Sequence, residues 1–280
     1  MQKLGISSTK ELNNGVQIPR LGLGVWKIPD GEPVVNAVSW ALQAGYRHID
    51  TAKIYGNEVG VGQGIKASGI AREQIFVTTK LWLSDQGYKS TLAALDDSLA
   101  RLGLSYVDLY LVHWPFPYEF LKVGNKRAET WRAMEELHRA GKARAIGVSN
   151  YTIAHLEEMK SYAAIPPAVD QVELHPFLYQ KELVDYCSRN KIAVEAYSPL
   201  VHGKRLDSPD VAKIAQKYKK SNAQILVRWS LQHDFVVLPK SVRKERIQEN
   251  INVFDFELSA KDMEFLDSLN ENYRTCWDPT

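Results

Sequence analysis

The sequence predicts an α/β protein folded as a (β/α)8 TIM barrel. Three observations carry this prediction: eight short apolar runs that suit strands, amphipathic helical stretches between them, and no Pro/Gly/Ser-rich linker along the 280 residues. A chain of this length can bury one large core. We therefore expect a single barrel domain over residues 1–280, with an N-terminal β-hairpin, an extra C-terminal helix and an irregular C-terminal tail.

Residues 12–16 predict the hairpin. They place Asn14 and Gly15 between short apolar stretches, and Asn-Gly is the strongest local signal for a tight turn between two strands. The pair comes before the alternating β/α pattern starts. We therefore expect the hairpin to lie outside the main repeat.

Eight strand candidates follow the hairpin, and each is a short run of mainly apolar residues. They cover residues 20–23, 46–50, 75–80, 107–113, 144–148, 169–173, 192–197 and 235–238. Amphipathic helical stretches lie at residues 34–44, 90–102, 129–140, 152–159, 181–189 and 223–232, and the extra helix at 260–269. Gly45, Gly103 and Gly141 close three of these stretches, as glycine often does at helix C-termini. This strict alternation indicates a parallel sheet.

A Rossmann domain is disfavoured. Such a domain is expected to show G-x-G-x-x-G between its first strand and helix. Gly60, Gly62 and Gly64 come nearest to the motif, but their spacing is wrong and they lie in a helical stretch after the second strand. A closed barrel is therefore preferred to a doubly wound sheet.

Composition and charge exclude several classes of function. The formal net charge is only +2 with both signs interspersed, so there is no basic stripe for nucleic acid. Cys187 and Cys276 are too few for a disulfide framework and lack zinc-ligand spacing, which fits a reducing compartment and no metal site. No apolar run approaches the length of a membrane span. We expect a cytoplasmic monomer that binds neither nucleic acid nor membrane.

Four polar residues stand at or near the ends of consecutive strand candidates. Asp50, Lys80 and His113 each close an apolar run, at intervals of 30 and 33 residues that fit one strand plus one helix, and Tyr55 follows Asp50 by five residues. Parallel strands of a barrel direct their C-terminal ends to one face. A carboxylate, an ammonium, an imidazole and a phenol should therefore converge there.

These four groups suit proton transfer to a carbonyl oxygen. Tyr55 is the natural proton donor, but a free phenol has a pKa near 10. An ammonium at Lys80 would stabilise the phenolate, and Asp50 would keep that ammonium charged. His113 could donate a hydrogen bond to the same oxygen. The alternative is structural, because an Asp–Lys ion pair, a Tyr with a buried ring and a solvated hydroxyl, and a capped His are each ordinary near strand ends.

Seven motifs, in order along almost the whole chain, closely resemble the signatures of the aldo-keto reductase family. They are GYRHIDTA from Gly45, YGNE from Tyr55, TKLW from Thr79, HWP from His113, GVSN from Gly147, QVELHP from Gln171 and LPKS from Leu238. The resemblance implies a barrel that binds NADPH without a Rossmann domain and passes hydride to an aldehyde or ketone. It also implies that Tyr55 is the general acid, that Asp50 and Lys80 tune it, and that His113 orients the substrate.

The resemblance further implies the residues that hold the cofactor. Ser149, Asn150 and Gln171 fall where the family binds the nicotinamide carboxamide, and Tyr197 falls where a ring stacks on the nicotinamide. The full set of expected cofactor residues is Ser149, Asn150, Gln171, Tyr197, Ser198, Leu200, Lys240, Ser241, Val242, Arg246, Glu249 and Asn250.

The segment after the eighth strand candidate also suits a phosphate on physical grounds that do not depend on the family. Lys240, Ser241 and Arg246 surround the start of a helix, where free N–H groups, the helix dipole and cationic side chains suit a phosphate. In the family, this stretch through Glu249 and Asn250 grips the 2′-phosphate and adenine, so NADPH should be preferred to NADH. Without the family, a solvated charged turn is the competing interpretation.

Aromatic residues indicate an apolar carbonyl substrate. Trp26, Trp82 and Trp114 closely follow strand ends, Trp277 lies in a tail that could fold over the same face, and His113 completes the expected substrate set. Packing in the core is the competing account for any single Trp. Residues 115–126 and 200–207 look shorter than the lids of steroid-reducing relatives. We therefore expect small aldehydes and dicarbonyls such as methylglyoxal, as in microbial members of the family.

The sequence departs from the family motifs at two positions, and two alternative functions remain open. Asp170 stands where many relatives have Asn, and Lys53 adds a cation that the motif does not demand. One alternative function is a Schiff-base lyase or aldolase that uses Lys80, which would require a deprotonated amine. The other is a non-catalytic subunit that binds NADPH.

Overall fold

The chain begins with the hairpin that the Asn-Gly pair predicts. The structure, a computed structural model, describes residues 4–115 and 126–279. Strand β1 (Thr9–Glu11) pairs in antiparallel fashion with β2 (Gln17–Pro19), with Lys10 opposite Ile18. The predicted N-terminal hairpin is confirmed.

The hairpin covers the end of the barrel at which the strands begin. Leu12 and Ile18 are buried in one cluster with Leu109, Val169 and Val236 from the barrel strands. The side chains in the turn also bind the barrel, since Asn13 donates to the carbonyl of Pro167 at 2.9 Å and Asn14 to that of Arg144 at 3.0 Å. This end is therefore sealed by apolar packing and hydrogen bonds.

Eight parallel strands form the barrel, each beside its neighbour in the sequence. They are β3 (Leu23–Gly24), β4 (His48–Asp50), β5 (Phe76–Leu81), β6 (Val107–Val112), β7 (Ala143–Ser149), β8 (Val169–Glu173), β9 (Ala193–Tyr197) and β10 (Val236–Leu238). The sheet closes through Val237, which accepts from the N–H of Gly22 and donates to the carbonyl of Arg20, both at 2.9 Å. The predicted (β/α)8 barrel is confirmed.

The first barrel strand lies later than the sequence predicts. The expected strand was residues 20–23, whereas β3 begins at Leu23 and the residues before it make only bridging bonds to β10. Gly22 allows this segment to lie close to Leu238 and His48, because a Cβ atom at position 22 would be 2.7 Å from Leu238 Cδ2 and 2.8 Å from the His48 ring. Apolar pattern alone does not distinguish such a bridge from a strand.

Helices surround the barrel and agree with most of the predicted stretches. They are α1 (Glu32–Ala44), α2 (Glu58–Ala67), α3 (Tyr88–Leu102), α4 (Lys126–Arg139), α5 (Ile153–Met159), α6 (Lys181–Arg189), α7 (Pro209–Tyr218), α8 (Asn222–Gln232), α9 (Lys244–Ile251) and α10 (Ala260–Asp267). Gly45 and Gly103 end α1 and α3 with φ of 106° and 65°, the left-handed conformation that glycine adopts without strain. Within the described ranges, no helix combines the length and apolarity that crossing a bilayer requires.

Candidate active site

Three strand ends bring the four predicted groups together around one ammonium. Asp50 is the last residue of β4, and Lys80 is the last but one residue of β5. Tyr55 ends a one-turn helix that follows β4. Lys80 Nζ donates to Asp50 Oδ1 at 2.7 Å, to the Thr51 carbonyl at 2.9 Å and to the Tyr55 hydroxyl at 3.2 Å. The ammonium therefore uses all three of its hydrogens, one of them on the phenol.

Lys80 remains charged despite complete burial. Burial alone would lower the pKa of its ammonium, but the Asp50 carboxylate and the Tyr55 hydroxyl outweigh that effect and raise it. An ammonium held between a carboxylate and a phenol is a source of positive potential rather than an amine nucleophile.

The Tyr55 phenol keeps its proton in this environment. Burial raises its pKa to about 12, and the positive charge of Lys80 opposes that rise. Lys80 thus favours the phenolate, as predicted, but it only limits the rise in the Tyr55 pKa and does not bring that pKa below its ordinary value. The ring edge lies beside His113, with ring centroids 5.6 Å apart.

His113 follows β6 and faces the same space as a neutral imidazole. Burial, and then the positive charge of Lys80, hold its pKa well below the ordinary value. Its Nδ1 is buried and has no hydrogen-bond partner in the described part of the chain. A neutral imidazole carries one N–H donor, which suits orientation of a carbonyl oxygen better than proton donation.

A buried carboxyl that sequence reasoning missed lies behind Asp50. Gln171 Nε2 donates to Asp50 Oδ2 at 2.9 Å and to Glu195 Oε2 at 2.7 Å. Burial and the nearby Asp50 charge raise the pKa of Glu195 to about 8. The sequence did contain a signal for Glu195. Side chains alternate between the two faces of a strand, so Glu195 must point to the same face of β9 as Tyr197 two residues later.

A second set of hydrogen bonds joins the ends of β7, β8 and β9. Asn150 Nδ2 donates to the His113 carbonyl at 2.9 Å and to Ser149 Oγ at 3.0 Å, and Ser149 Oγ donates to the Gln171 carbonyl at 2.8 Å. The Tyr197 hydroxyl donates to Asn150 Oδ1 at 2.8 Å. Asn150 has a φ of 62°, a left-handed conformation that Asn tolerates better than most residues.

One cavity of about 1260 Å³ opens at this face of the barrel. Most of the sequence-predicted site residues line it, namely Asp50, Tyr55, His113, Ser149, Asn150, Gln171, Tyr197, Ser198, Leu200, Lys240, Ser241, Arg246, Glu249, Asn250, Trp26, Trp82, Trp114 and Trp277. Lys80 lies behind the wall, in contact with Tyr55. Val242 is 43% exposed and does not line the cavity.

Aromatic rings form one wall beside His113. The Trp82 ring lies 5.3 Å from the His113 ring, and Trp277 lies 6.4 Å from Trp82 and 5.6 Å from Trp114, measured between ring centroids. The tail therefore does fold over the cavity. Trp26 stands apart from this group, against His202 at 5.3 Å.

Another part of the cavity is cationic. Lys240 and Arg246 lie there with Lys27, which sequence reasoning did not single out. Burial, and then the charge of Lys27, lower the pKa of the Lys240 ammonium. Two cations that repel each other in one concave site create a place for an anion.

Several other wall residues were also missed by sequence reasoning. His202, Lys204, Leu206, Ser221, Asn222, Thr275 and Cys276 line the cavity. They lie in loops and at helix ends, where apolar periodicity gives no signal. The two cysteines do not form a disulfide, and Cys187 is buried away from this wall.

Asp170, the departure noted in the sequence, is a buried carboxyl with few partners. It is fully buried, its Oδ1 accepts a long hydrogen bond of 3.4 Å from the N–H of Tyr151, and its Oδ2 has no partner in the described part of the chain. Burial raises its pKa well above the usual range. The folded state therefore binds a proton that the unfolded state releases near neutral pH.

Replacing Asp170 by Asn should stabilise the protein, and more so at alkaline pH. The penalty of the buried carboxyl begins above the pKa of the unfolded state and grows as pH rises toward the raised folded pKa. We expect the Asp170→Asn variant to gain about 1–2 kcal/mol in the free energy of unfolding at pH 8, since one pKa unit corresponds to about 1.4 kcal/mol. Urea unfolding at pH 5 and pH 8 measures this gain.

The control for this prediction is Asp97→Asn, which changes an exposed carboxylate on α3. That variant should leave the free energy of unfolding almost unchanged at both pH values. An Asp170→Asn gain that is equal at pH 5 and pH 8, or a loss at pH 8, would contradict the assignment.

Comparison with known proteins identifies the family. The model of the aldo/keto reductase family matches residues 20–271. Glyoxal reductase of Bacillus subtilis is 51% identical over 274 residues, 98% of this chain and 97% of that protein. An aldo-keto reductase from a Medee basin deep-sea metagenome library is 46% identical, with a TM-score of 0.91 over 96% of this chain and 97% of that one.

A third relative was solved with its cofactor. The aldo-keto reductase of Bombyx mori, in complex with NADP, is 38% identical, with a TM-score of 0.88 over 96% of this chain and 94% of that one. The family match extends over nearly all of the barrel, and the relatives align along nearly their whole length. The chain therefore belongs to the aldo/keto reductase family and is an oxidoreductase.

Proposed function

We propose that this protein reduces small aldehydes and dicarbonyls, such as methylglyoxal, to alcohols with NADPH as the hydride donor. The observation that carries the proposal is the Lys80 ammonium, which binds Asp50 and Tyr55 at the base of a cavity. Such a group of titratable residues in a cavity is typical of an enzyme site. The similarity to glyoxal reductase supports the substrate class.

Each member of the group has a distinct role in this proposal. Tyr55 donates its hydroxyl proton to the carbonyl oxygen as negative charge develops there. Lys80 stabilises the phenolate that remains, and it holds its own charge because of Asp50. His113, as a neutral imidazole, donates a hydrogen bond to the same oxygen and fixes its direction.

The polar atoms left over beside His113 fit a carboxamide. Both hydrogens of Gln171 Nε2 and both of Asn150 Nδ2 are engaged within the protein, so these side chains can offer only acceptors. These are Gln171 Oε1 and the second lone pair of Asn150 Oδ1, whose first accepts from Tyr197. Two acceptors suit the two hydrogens of a carboxamide nitrogen. A nicotinamide would supply the hydride when bound, and the ring of Tyr197 lines the same wall.

The cationic part of the cavity suits the phosphates of NADPH. Lys240 and Arg246 flank the start of α9, where backbone N–H groups and the helix dipole add positive potential. Lys27 adds a third cation to the same wall. Relief of the repulsion between Lys27 and Lys240 would favour an additional phosphate, and NADPH differs from NADH by one phosphate.

The aromatic wall suits a small apolar carbonyl compound. Trp82 and Trp114 confine the space beside His113, and Trp277 closes it from the tail. The prediction of a short lid after β6 concerns residues 115–126, most of which lie outside the described residues. The substrate class is therefore argued from these rings and from the relatives.

A panel of aldehydes and ketones with NADPH tests the function. Methylglyoxal and small aromatic aldehydes should oxidise NADPH in steady-state absorbance assays, and bulky steroid ketones should react far more slowly. Binding of NADPH without turnover of any carbonyl compound would instead favour the non-catalytic subunit.

The Schiff-base alternative is disfavoured by the charge of Lys80. An amine nucleophile must be deprotonated, whereas Asp50 and Tyr55 raise the pKa of this ammonium. Borohydride treatment in the presence of a carbonyl substrate, without nicotinamide, should leave no adduct on Lys80. A trapped adduct, read by mass spectrometry, would support the lyase or aldolase.

A further inference from the structure

The end of β8 carries a buried carboxylate that the proposed chemistry does not use. Glu173 belongs to the same motif as Gln171, is 1% exposed and lies beside Tyr197 in the register of β8 and β9. Burial would raise the pKa of this carboxyl, but hydrogen bonds from His175, Thr275 and Cys276 lower it overall. The group is thus an anion whose charge is balanced mainly by hydrogen bonds.

Most of those hydrogen bonds come from the far end of the chain. The Thr275 N–H donates to both oxygens of Glu173, at 2.9 and 3.2 Å, the Thr275 hydroxyl donates to Oε1, and the Cys276 N–H donates to Oε2 at 3.1 Å. His175 Nε2 lies 3.2 Å from Oε1. Two successive N–H groups and a hydroxyl therefore converge on one side chain that can only accept.

Further bonds dock the same stretch onto the loop after β8. The Tyr273 N–H donates to the Phe177 carbonyl at 2.9 Å, and the Arg274 guanidinium donates to Gln180 Oε1 at 3.2 Å. Gln180 in turn donates to the carbonyl of Glu173 at 2.8 Å. The tail segment, defined as residues 273–277, is thus attached to one strand end and its loop.

The docked tail segment supplies part of the cavity wall. Thr275, Cys276 and Trp277 line the cavity, and the Trp277 ring packs against Trp82 and Trp114. Trp82 in turn contacts His113. Cys276, whose N–H is bound to Glu173, directly precedes Trp277, whose ring forms part of the wall.

We propose that Glu173 is a positioning residue, which holds the tail segment over the cavity and thereby sets how tightly aromatic aldehydes bind. An undocked tail would remove the donors of Thr275 and Cys276 from the carboxylate, so these hydrogen bonds favour the docked state. The part of this inference that concerns substrates rests on the proposed function. The part that concerns docking does not.

Limited trypsin digestion tests the docking directly. The bond after Arg274 is a trypsin site within the tail segment, and its cleavage requires local release of the chain. In Glu173→Gln, the amide group turns a donor toward one of the two N–H groups, so we expect cleavage to accelerate about tenfold, the factor that one hydrogen bond to a charged group supports. Mass spectrometry follows the loss of residues 275–280.

Kinetics test the effect on specificity. With NADPH and an aromatic aldehyde, Glu173→Gln should raise KM about tenfold and leave kcat within about twofold, and KM for methylglyoxal should change much less. Trp277→Ala should raise KM for the aromatic aldehyde in the same way. The double variant should add little to Trp277→Ala, because both changes remove the same wall.

Control variants separate docking from general damage. Glu182→Gln neutralises an exposed carboxylate in the first turn of α6 and should change neither cleavage nor KM. Should Glu173→Gln fail to fold, Thr275→Val removes one hydroxyl donor and should accelerate cleavage about threefold, as expected for the loss of a modest hydrogen bond. Thermal unfolding shows whether each variant is folded.

Two results would overturn the inference. One is cleavage of Glu173→Gln after Arg274 at the rate of the unmodified protein. The other is an equal rise of KM for methylglyoxal and for the aromatic aldehyde. If the unmodified protein reduces no carbonyl compound, the proposed function fails, whereas the trypsin measurement still decides whether Glu173 docks the tail segment.

Discussion

Tyr55→Phe is expected to abolish the reduction of small aldehydes while leaving the affinity for NADPH nearly unchanged. Phenylalanine keeps the ring that packs against His113 but lacks the hydroxyl that lies 3.2 Å from Lys80 Nζ. Removing a general acid costs about 10²- to 10⁴-fold in rate. We therefore expect kcat for methylglyoxal to fall about a thousandfold, as measured by NADPH absorbance, with cofactor affinity followed by fluorescence titration.

Tyr179→Phe is the matched control. It also removes one phenol hydroxyl, which is hydrogen-bonded to His233 Nδ1 at 3.1 Å and lies outside the cavity wall. This variant should retain normal turnover. A Tyr55→Phe variant with more than about a tenth of the normal turnover would refute the assignment of the acid, since that loss is smaller than a general acid typically supplies.

Arg246→Ala or Lys240→Ala should weaken NADPH binding much more than NADH binding. Both side chains lie in the cationic part of the cavity, beside the start of α9. One charged hydrogen bond to a phosphate supports a loss of about 10- to 100-fold in the NADPH Kd. The NADH Kd should rise less than about threefold, because that nucleotide lacks the additional phosphate. Competition titration measures both.

Lys213→Ala provides the charge control for this experiment. It removes one positive charge from the exposed face of α7, where the ammonium pairs with Asp210 at 2.9 Å, away from the cavity wall. Its Kd values for both nucleotides should remain normal. If Arg246→Ala weakens the binding of NADH and NADPH equally, the Arg246 side chain does not bind the 2′-phosphate.

The fold was predictable because its signals are local and repeated. Eight apolar runs, the helices between them and the Asn-Gly turn all appear in windows of a few residues. The strand at residues 20–23 was misplaced because its position depends on how closely Gly22 approaches His48 and Leu238, which are distant in sequence. Contacts of this kind leave no periodic pattern.

The candidate site was predictable where a residue ends a strand. Asp50, Lys80 and His113 could be placed because parallel strands share a direction, and the motifs resembling the aldo-keto reductase family supplied the positions near Gln171 and Lys240. Glu195 and Lys27 were missed, since one is inside the barrel and the other lies in a loop. The bonds from Thr275 and Cys276 to Glu173 join residues about a hundred positions apart.

The hairpin and the tail segment lie at opposite ends of the barrel, which decides where a tag can be added. The hairpin covers the face where the strands begin, whereas the tail segment lies at the opposite face, against the aromatic wall. Affinity tags or immobilisation linkers fused ahead of the hairpin would lie at the end of the barrel away from the candidate active site. The same additions after residue 279 would lie close to the cavity that Thr275, Cys276 and Trp277 line.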